Sequence, residues 1–159
     1  MAVGLMYTAQ FSGVSITNAV QDIWEIQNSA TTGLILHWIK LTVEPTITSG
    51  VAQDVRARLQ IVERSTNGTG GAAVVPAGVH PRNTIASATT AVNRTVVTTQ
   101  GTIGDIHWGD APSIIVPYEL ILTPDLRIPV QPSGKLALFL TTALGAAYNA
   151  SSTICWEEI

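Results

Sequence analysis

The chain has 159 residues, 46% hydrophobic and only 12% charged, with a formal net charge of -3. That length fits one domain able to bury about 70% of the surface its unfolded form exposes. The composition excludes disorder, which is charged and poor in apolar residues, and an acidic balance with scattered arginines offers no basic stripe for nucleic acid.

The first residues, Met1 to Tyr7, lack the basic start and long apolar stretch of a signal peptide and read as a mature cytosolic start. Leu5–Phe11 and Ile23–Gln27 read as the first two strands, and Gly33–Glu44 as a long third closed by Pro45. The apolar run that begins at Gly33 is broken by His37 and Lys40, far short of the roughly 20 residues a membrane-spanning helix needs. Val55–Arg64 alternates, with Val55, Ala57, Leu59 and Ile61 on one face and Arg56, Arg58 and Gln60 on the other, as in a strand wet on one side. Ser65–Gly78 holds a flexible stretch with a loop tip at Asn67–Gly71. Further strands are expected at Asn93–Thr99, Gly101–Trp108 and Ile114–Leu122, with a short edge piece at Ile128–Val130. A Pro132-Ser133-Gly134 turn leads into Lys135–Thr142, and the last strand is Thr153–Ile159. No segment longer than ten residues carries helical periodicity with a cap before it. The expected fold is therefore one all-β domain over residues 1–159 with essentially no helix, an antiparallel two-sheet sandwich of jelly-roll type with eight to ten strands.

Several of these strands are apolar on both sides. In the third, Leu34, Leu36 and Trp38 oppose Ile35, Ile39, Leu41 and Val43; in Ile114–Leu122, Val116, Tyr118, Leu120 and Leu122 oppose Ile115 and Ile121. A sandwich buries one face of each sheet, so a two-sided strand needs a second cover, either a subunit neighbour or a long loop. The neighbour is the preferred cover, since large exposed apolar patches mark interaction sites. The expected interface residues are Leu34, Leu36, Trp38, Ile39, Tyr118, Leu120, Ile154 and Trp156. The chain has two lysines, Lys40 and Lys135. Interfaces are depleted in Lys, although a surface made soluble by Ser, Thr, Asn and Gln accounts for the same composition.

Residues that carry chemistry are sparse. Asn67-Gly68-Thr69-Gly70-Gly71 resembles a phosphate-cradling loop but lacks the Lys and the following helix. His37, His80 and His107 have no metal-ligand spacing. Cys155, between Ile154 and Trp156, reads as an inert buried thiol. Glu157 and Glu158 are adjacent and point to opposite faces, so they cannot form a catalytic pair. Asp105 and Asp110 flank Trp108, an aromatic that could stack on a sugar ring, which makes these three the alternative ligand contact. The chain reads as a non-enzyme that needs no metal and no cofactor.

The segment Pro132-Ser133-Gly134-Lys135-Leu136-Ala137-Leu138, followed after a small-residue loop by Ser152-Thr153-Ile154-Cys155-Trp156-Glu157-Glu158-Ile159, resembles the close of small tailed-bacteriophage virion proteins. Ile23-Trp24-Glu25-Ile26 before the apolar strand Leu34–Val43 is similar to their opening hairpin. Together these cover about a third of the chain. The resemblance implies a jelly-roll capsid cement or decoration protein, made in the host cytoplasm and seated on the capsid exterior of the virion. Its implied partners are the major capsid protein and further copies of itself, as homotrimer or homodimer, with no membrane and no direct nucleic acid contact. The alternative is a receptor- or carbohydrate-binding module of a phage head or tail fibre.

Overall fold

The computed structural model describes residues 4–16, 20–45, 56–80, 84–93, 99–113, 116–142 and 148–159. Among these, the strands are β1 (Leu5–Ile16), β2 (Gln21–Gln27), β3 (Leu34–Pro45), β4 (Leu59–Arg64), β5 (Ala72–Val74), β6 (Ala77–Gly78), β7 (Thr90–Asn93), β8 (Ile103–Asp110), β9 (Tyr118–Ile121), β10 (Ile128–Val130), β11 (Lys135–Leu140) and β12 (Tyr148–Glu158). The one helical element described is a single 3-10 turn at Pro124–Leu126. All strand pairs are antiparallel and form two open sheets. The first runs β10-β3-β12-β1-β6 with β9 also on β3, and the second runs β5-β7-β2-β11-β4-β8.

The connectivity is that of a jelly roll. Strand β1 pairs with β12, β2 with β11, β3 with β9 and β10, and β4 with β8. This is one long antiparallel ribbon folded over so that successive rungs fall in alternate sheets. Strands β5, β6 and β7 lie between β4 and β8 in sequence and extend the opposite edges. They are the reason the strands outnumber the expected eight to ten. Two of them fall in the stretch expected to be a flexible loop, where Ala and Gly carry no strand signal. Gly71 there has φ +91, and a Cβ on it would collide with the carbonyl oxygen of Asn93, so glycine is what lets β5 approach β7.

Bulges in β1, β2 and β3 set which of their side chains face inward, and β8 carries two more against β4. In β1 the inward residues Tyr7, Ala9 and Phe11 are followed by Val14 and Ile16, because an extra residue is accommodated between Phe11 and Val14, at Gly13 with φ 62. In β3, Cys155 opposes Trp38 while Trp156 opposes Leu36, so His37 is the extra residue. Leu34 and Leu36 before it and Ile39 and Leu41 after it thereby face the same core. In β2 the extra residue is Ile23. The two-sided third strand expected from the sequence is thus corrected. Leu34, Leu36, Ile39 and Leu41 lie on one face, Ile35 and Trp38 on the other, and the parity changes at His37.

The core joins the sheets through large aromatics. Phe11 of the first sheet stacks on Trp24 of the second at 5.8 Å, and the Trp24 indole N–H donates to Ser152 Oγ at 3.1 Å. Tyr7 and Trp156 stack at 6.1 Å on neighbouring strands. Each such side chain taken fully from water contributes about 1.5–3 kcal/mol. A smaller cluster, Val62, Ala137 and Phe139, lies on the other face of the second sheet. Arg64 covers it with its guanidinium 4.7 Å from the Phe139 ring centre, while binding Asp22 and donating to the Gly101 carbonyl at 2.8 Å. The second face of the expected Val55–Arg64 strand is therefore wet at Arg56 and Arg58, which precede β4, but buried at Val62 and Arg64 within it; Val55 lies outside the described residues.

The end of the sandwich that carries the expected Pro132-Ser133-Gly134 turn is pinned by side chains. Gly134 N–H donates to the Gln131 carbonyl at 2.9 Å, with Ser133 at φ 62. The buried Asn28 amide donates to the carbonyls of Val130 at 3.0 Å and Gln131 at 2.9 Å, and accepts from Thr89 Oγ1 at 3.3 Å. These bonds tie the β2–β3 turn, the β10–β11 turn and the segment before β7 together.

Candidate interaction surfaces

The eight residues expected at an interface do not share a surface. Leu34, Leu36, Ile39, Ile154 and Trp156 are at most 2% exposed inside the sandwich. Tyr118 and Leu120 face inward on β9 and pack against the same core, half-exposed only because β9 is an edge strand. The expectation is corrected for the five buried residues, Leu34, Leu36, Ile39, Ile154 and Trp156. They are covered by the molecule's own opposite sheet. Trp38 alone faces outward, half-buried, opposite Ile121 of β9, which is 68% exposed. Lys40 and Glu119 form the next cross-strand pair on that face, placing opposite charges beside the apolar pair.

Of the alternative contact residues, the structure brings Trp108 and Asp110 together around Tyr118. The Trp108 and Tyr118 rings lie 5.8 Å apart, and Tyr118 OH donates to Asp110 Oδ2 at 3.0 Å, while the Ala111 N–H donates to Asp110 Oδ1 at 2.7 Å. Burial first, then the hydrogen bond and the negative charge of Asp110, hold the Tyr118 phenol above its ordinary range. Since β8 is the last strand of its sheet and β9 lies on the edge of the other, this cluster bridges the two sheets on one side of the sandwich. Asp105 is exposed farther along β8 and takes no part in it.

The remaining polar groups are held in structural bonds. His37 Nε2 lies 3.3 Å from Glu157 Oε2, and His107 Nε2 lies 3.0 Å from Glu63 Oε1. The Gly68 N–H, in the glycine-rich loop, donates to Glu25 Oε2 at 3.2 Å, so a carboxylate of the chain occupies an amide that a phosphate would need. Glu158 accepts from the Ser87 hydroxyl and, at 3.1 Å each, from the Ala88 and Thr89 amides. Burial works to raise its pKa, but these hydrogen bonds outweigh it and hold the carboxyl below its ordinary value. Cys155 is buried, which pushes its thiol up to about 11. Among the described residues no three His, Cys, Asp or Glu side chains stand close enough to hold a metal ion, and no helix is long and apolar enough to cross a membrane.

What sequence reasoning missed is the exposed edge. Strand β8 is exposed along its whole length except at the half-buried Trp108, with Ile103 45% and Ile106 55% exposed. The signal was present in Ile103-Gly104-Asp105-Ile106-His107-Trp108-Gly109-Asp110, which does not alternate as a strand with one wet face does. In comparisons with known proteins, no family model, no curated protein and no solved structure matches the chain.

Proposed function

We propose that the chain is a virion structural protein, a cement or decoration protein that bridges capsid subunits on the exterior of a bacteriophage head and works as a homo-oligomer. The observation that carries this reading is the placement of large apolar side chains on open strands: Ile103 and Ile106 on β8 and Ile121 on β9 are 45%, 55% and 68% exposed. Surface Ile on strand edges is a hazard for a chain that stays alone and a docking element for one that does not. The sparse lysine content and the C-terminal resemblance support the same reading. Many weak contacts repeated around a shell hold it by avidity, without one tight site.

The test is to mix purified protein with undecorated capsids. Saturable binding at a fixed copy number per capsid, with capsids more resistant to heat, is expected; no binding at any concentration refutes the role. For the alternative, a glycan- or receptor-binding module, the half-exposed Trp108 is the one favourable feature. Against it, one side of its indole is taken by Tyr118, and Asp110 is engaged by the Tyr118 hydroxyl. A glycan array is therefore expected to stay blank.

A further inference from the structure

Asn67-Gly68 is the one Asn-Gly pair in the chain. An asparagine before glycine is the most open to losing its side-chain amide, because no Cβ on the next residue hinders the backbone nitrogen. In that reaction the Gly68 nitrogen gives up its proton and attacks Asn67 Cγ. The new N–Cγ bond closes a succinimide ring, the Cγ–Nδ2 bond breaks, and the side-chain nitrogen leaves as ammonia with the displaced proton. Water then opens the ring at one carbonyl or the other, giving aspartate or isoaspartate. The structure places Asn67 exposed, on a segment anchored on both sides of it. Ser65 N–H donates to the Thr102 carbonyl at 3.0 Å and Thr69 N–H to the Thr99 carbonyl at 2.8 Å. Between these anchors the Gly68 N–H donates to Glu25 Oε2 at 3.2 Å. Glu25 stands opposite Ala137 on the outer face of the second sheet and is 4% exposed. The nitrogen that would attack is thus bound to a buried carboxylate.

We propose that Asn67-Gly68 is a self-modification site whose reaction is held down by Glu25, a positioning residue that acts through the Gly68 N–H. Two effects oppose ring closure. Removing the amide proton sets a developing anion on nitrogen beside the carboxylate, and like charges at close range disfavour each other. Turning the nitrogen toward Asn67 Cγ breaks its hydrogen bond and leaves a buried carboxylate one donor short. Losing a hydrogen bond to a charged group is worth about tenfold or more in rate. The guarded product matters to the fold. Isoaspartate would add a methylene to the backbone between the two anchors, in a segment packed so closely that a Cβ on Gly101 would collide with the Thr66 carbonyl. Gly101 is also the residue whose carbonyl accepts from the Arg64 guanidinium at 2.8 Å. This site is independent of the capsid-binding reading, and each stands or falls by itself.

The test incubates the full chain at mildly alkaline pH beside a synthetic peptide of residues 65–70. Peptide mapping by mass spectrometry and enzymatic methylation of isoaspartate follow the conversion. The native protein is expected to convert at Asn67 about tenfold or more slowly than the peptide, with its Gly68 amide protected from hydrogen exchange. Glu25→Ala raises both conversion at Asn67 and exchange at Gly68 by about tenfold. Exchange at the Thr69 amide, bound to Thr99, and conversion at Asn28, which is 3% exposed, stay as they were. Glu25→Gln keeps an oxygen able to accept from Gly68 and falls between the two. Equal rates in native protein and peptide overturn the proposal. So does a Glu25→Ala protein that converts no faster, or one in which Thr69 and Asn28 loosen along with Gly68, since that marks a structural role alone. If Glu25→Ala does not fold, Glu25→Gln against wild type and peptide decides on the same terms.

Discussion

Deleting Gly13 tests the physical idea on which this fold rests, that bulges decide which side chains reach the core. Gly13 has φ 62 and lies where β1 carries one residue more than β12: Phe11 opposes Ser152, and Val14 opposes Ala150. Without it Val14 falls two places after Phe11, so Val14 and Ile16 still face the core opposite Ala150 and Tyr148, and the strand loses only its bulge. Val14 and Ile16 are 0% and 1% exposed. Were the deletion to reverse them instead, returning two such side chains to water would cost about 1.5–3 kcal/mol each, or roughly 3–6 kcal/mol together. Against a total stability of about 5–15 kcal/mol this is a large loss, equivalent to a fall in Tm of roughly 6–24 °C. The control is Gly13→Ala, which keeps the residue count and costs only the left-handed backbone, about 1–2 kcal/mol. Thermal melts followed by tryptophan fluorescence, with guanidinium titrations alongside, measure both. The deletion is expected to melt no lower than Gly13→Ala; if it melts lower by the margin above, Val14 and Ile16 have turned outward and the account of β1 is wrong.

Asp22→Asn removes the countercharge of Arg64, where both residues are at most 3% exposed, and is expected to cost about 3–5 kcal/mol by leaving a buried guanidinium unpaired; a loss too small to resolve in denaturant titration refutes the pairing's importance. Glu158→Gln weakens the clamp on Ser87, Ala88 and Thr89 by about 1–2 kcal/mol, a half-buried carboxylate being partly screened. Because the folded Glu158 carboxyl lies below its ordinary value of 4.5, the unfolded chain takes up its proton first as the pH falls. That stability is complete above the ordinary value and is lost as the pH drops through the folded one, so the Gln variant shows a shallower acid dependence. Cys155, 2% exposed with its thiol at about 11, reacts with an aromatic disulfide reagent only as fast as the protein unfolds; rapid labelling at neutral pH contradicts the buried position. Leu59→Ala and Leu138→Ala, at 1% exposure each, are expected to lose about 2–5 kcal/mol in thermal melts.

Much of the fold was legible where the signal is local. The Pro132–Gly134 turn, the alternating Leu136, Leu138 and Leu140, and the absence of helical spacing all report neighbours within a few residues. The longer reach of β1 and β12 was harder to read, since Ser12-Gly13 and Asn149 to Ser152 look like turn chemistry until a partner strand supplies their hydrogen bonds. The candidate site was read less well. Ile154 and Trp156 sit in a strand whose even-numbered residues from Tyr148 to Trp156 all face inward, and without knowledge of the opposite sheet their apolar character pointed equally to an interface and to a core. Asp105 and Asp110 stand on either side of Trp108 in the sequence, yet the register of β8 binds one to Tyr118 and leaves the other in solvent.

From residue order alone came the all-β class, the antiparallel two-sheet sandwich and the poverty of charge, because period-two alternation and turn residues act over a handful of positions and composition acts over none. Tertiary structure alone decided which apolar residues share the core, which strand is left on the edge, and that Asp22 and Arg64 meet in the interior. Those outcomes depend on partners far apart in the chain, such as β1 against β12, and on single extra residues at Gly13, Ile23 and His37. One inserted residue reverses every side chain beyond it, and only the strand across the ladder reveals that it has been inserted.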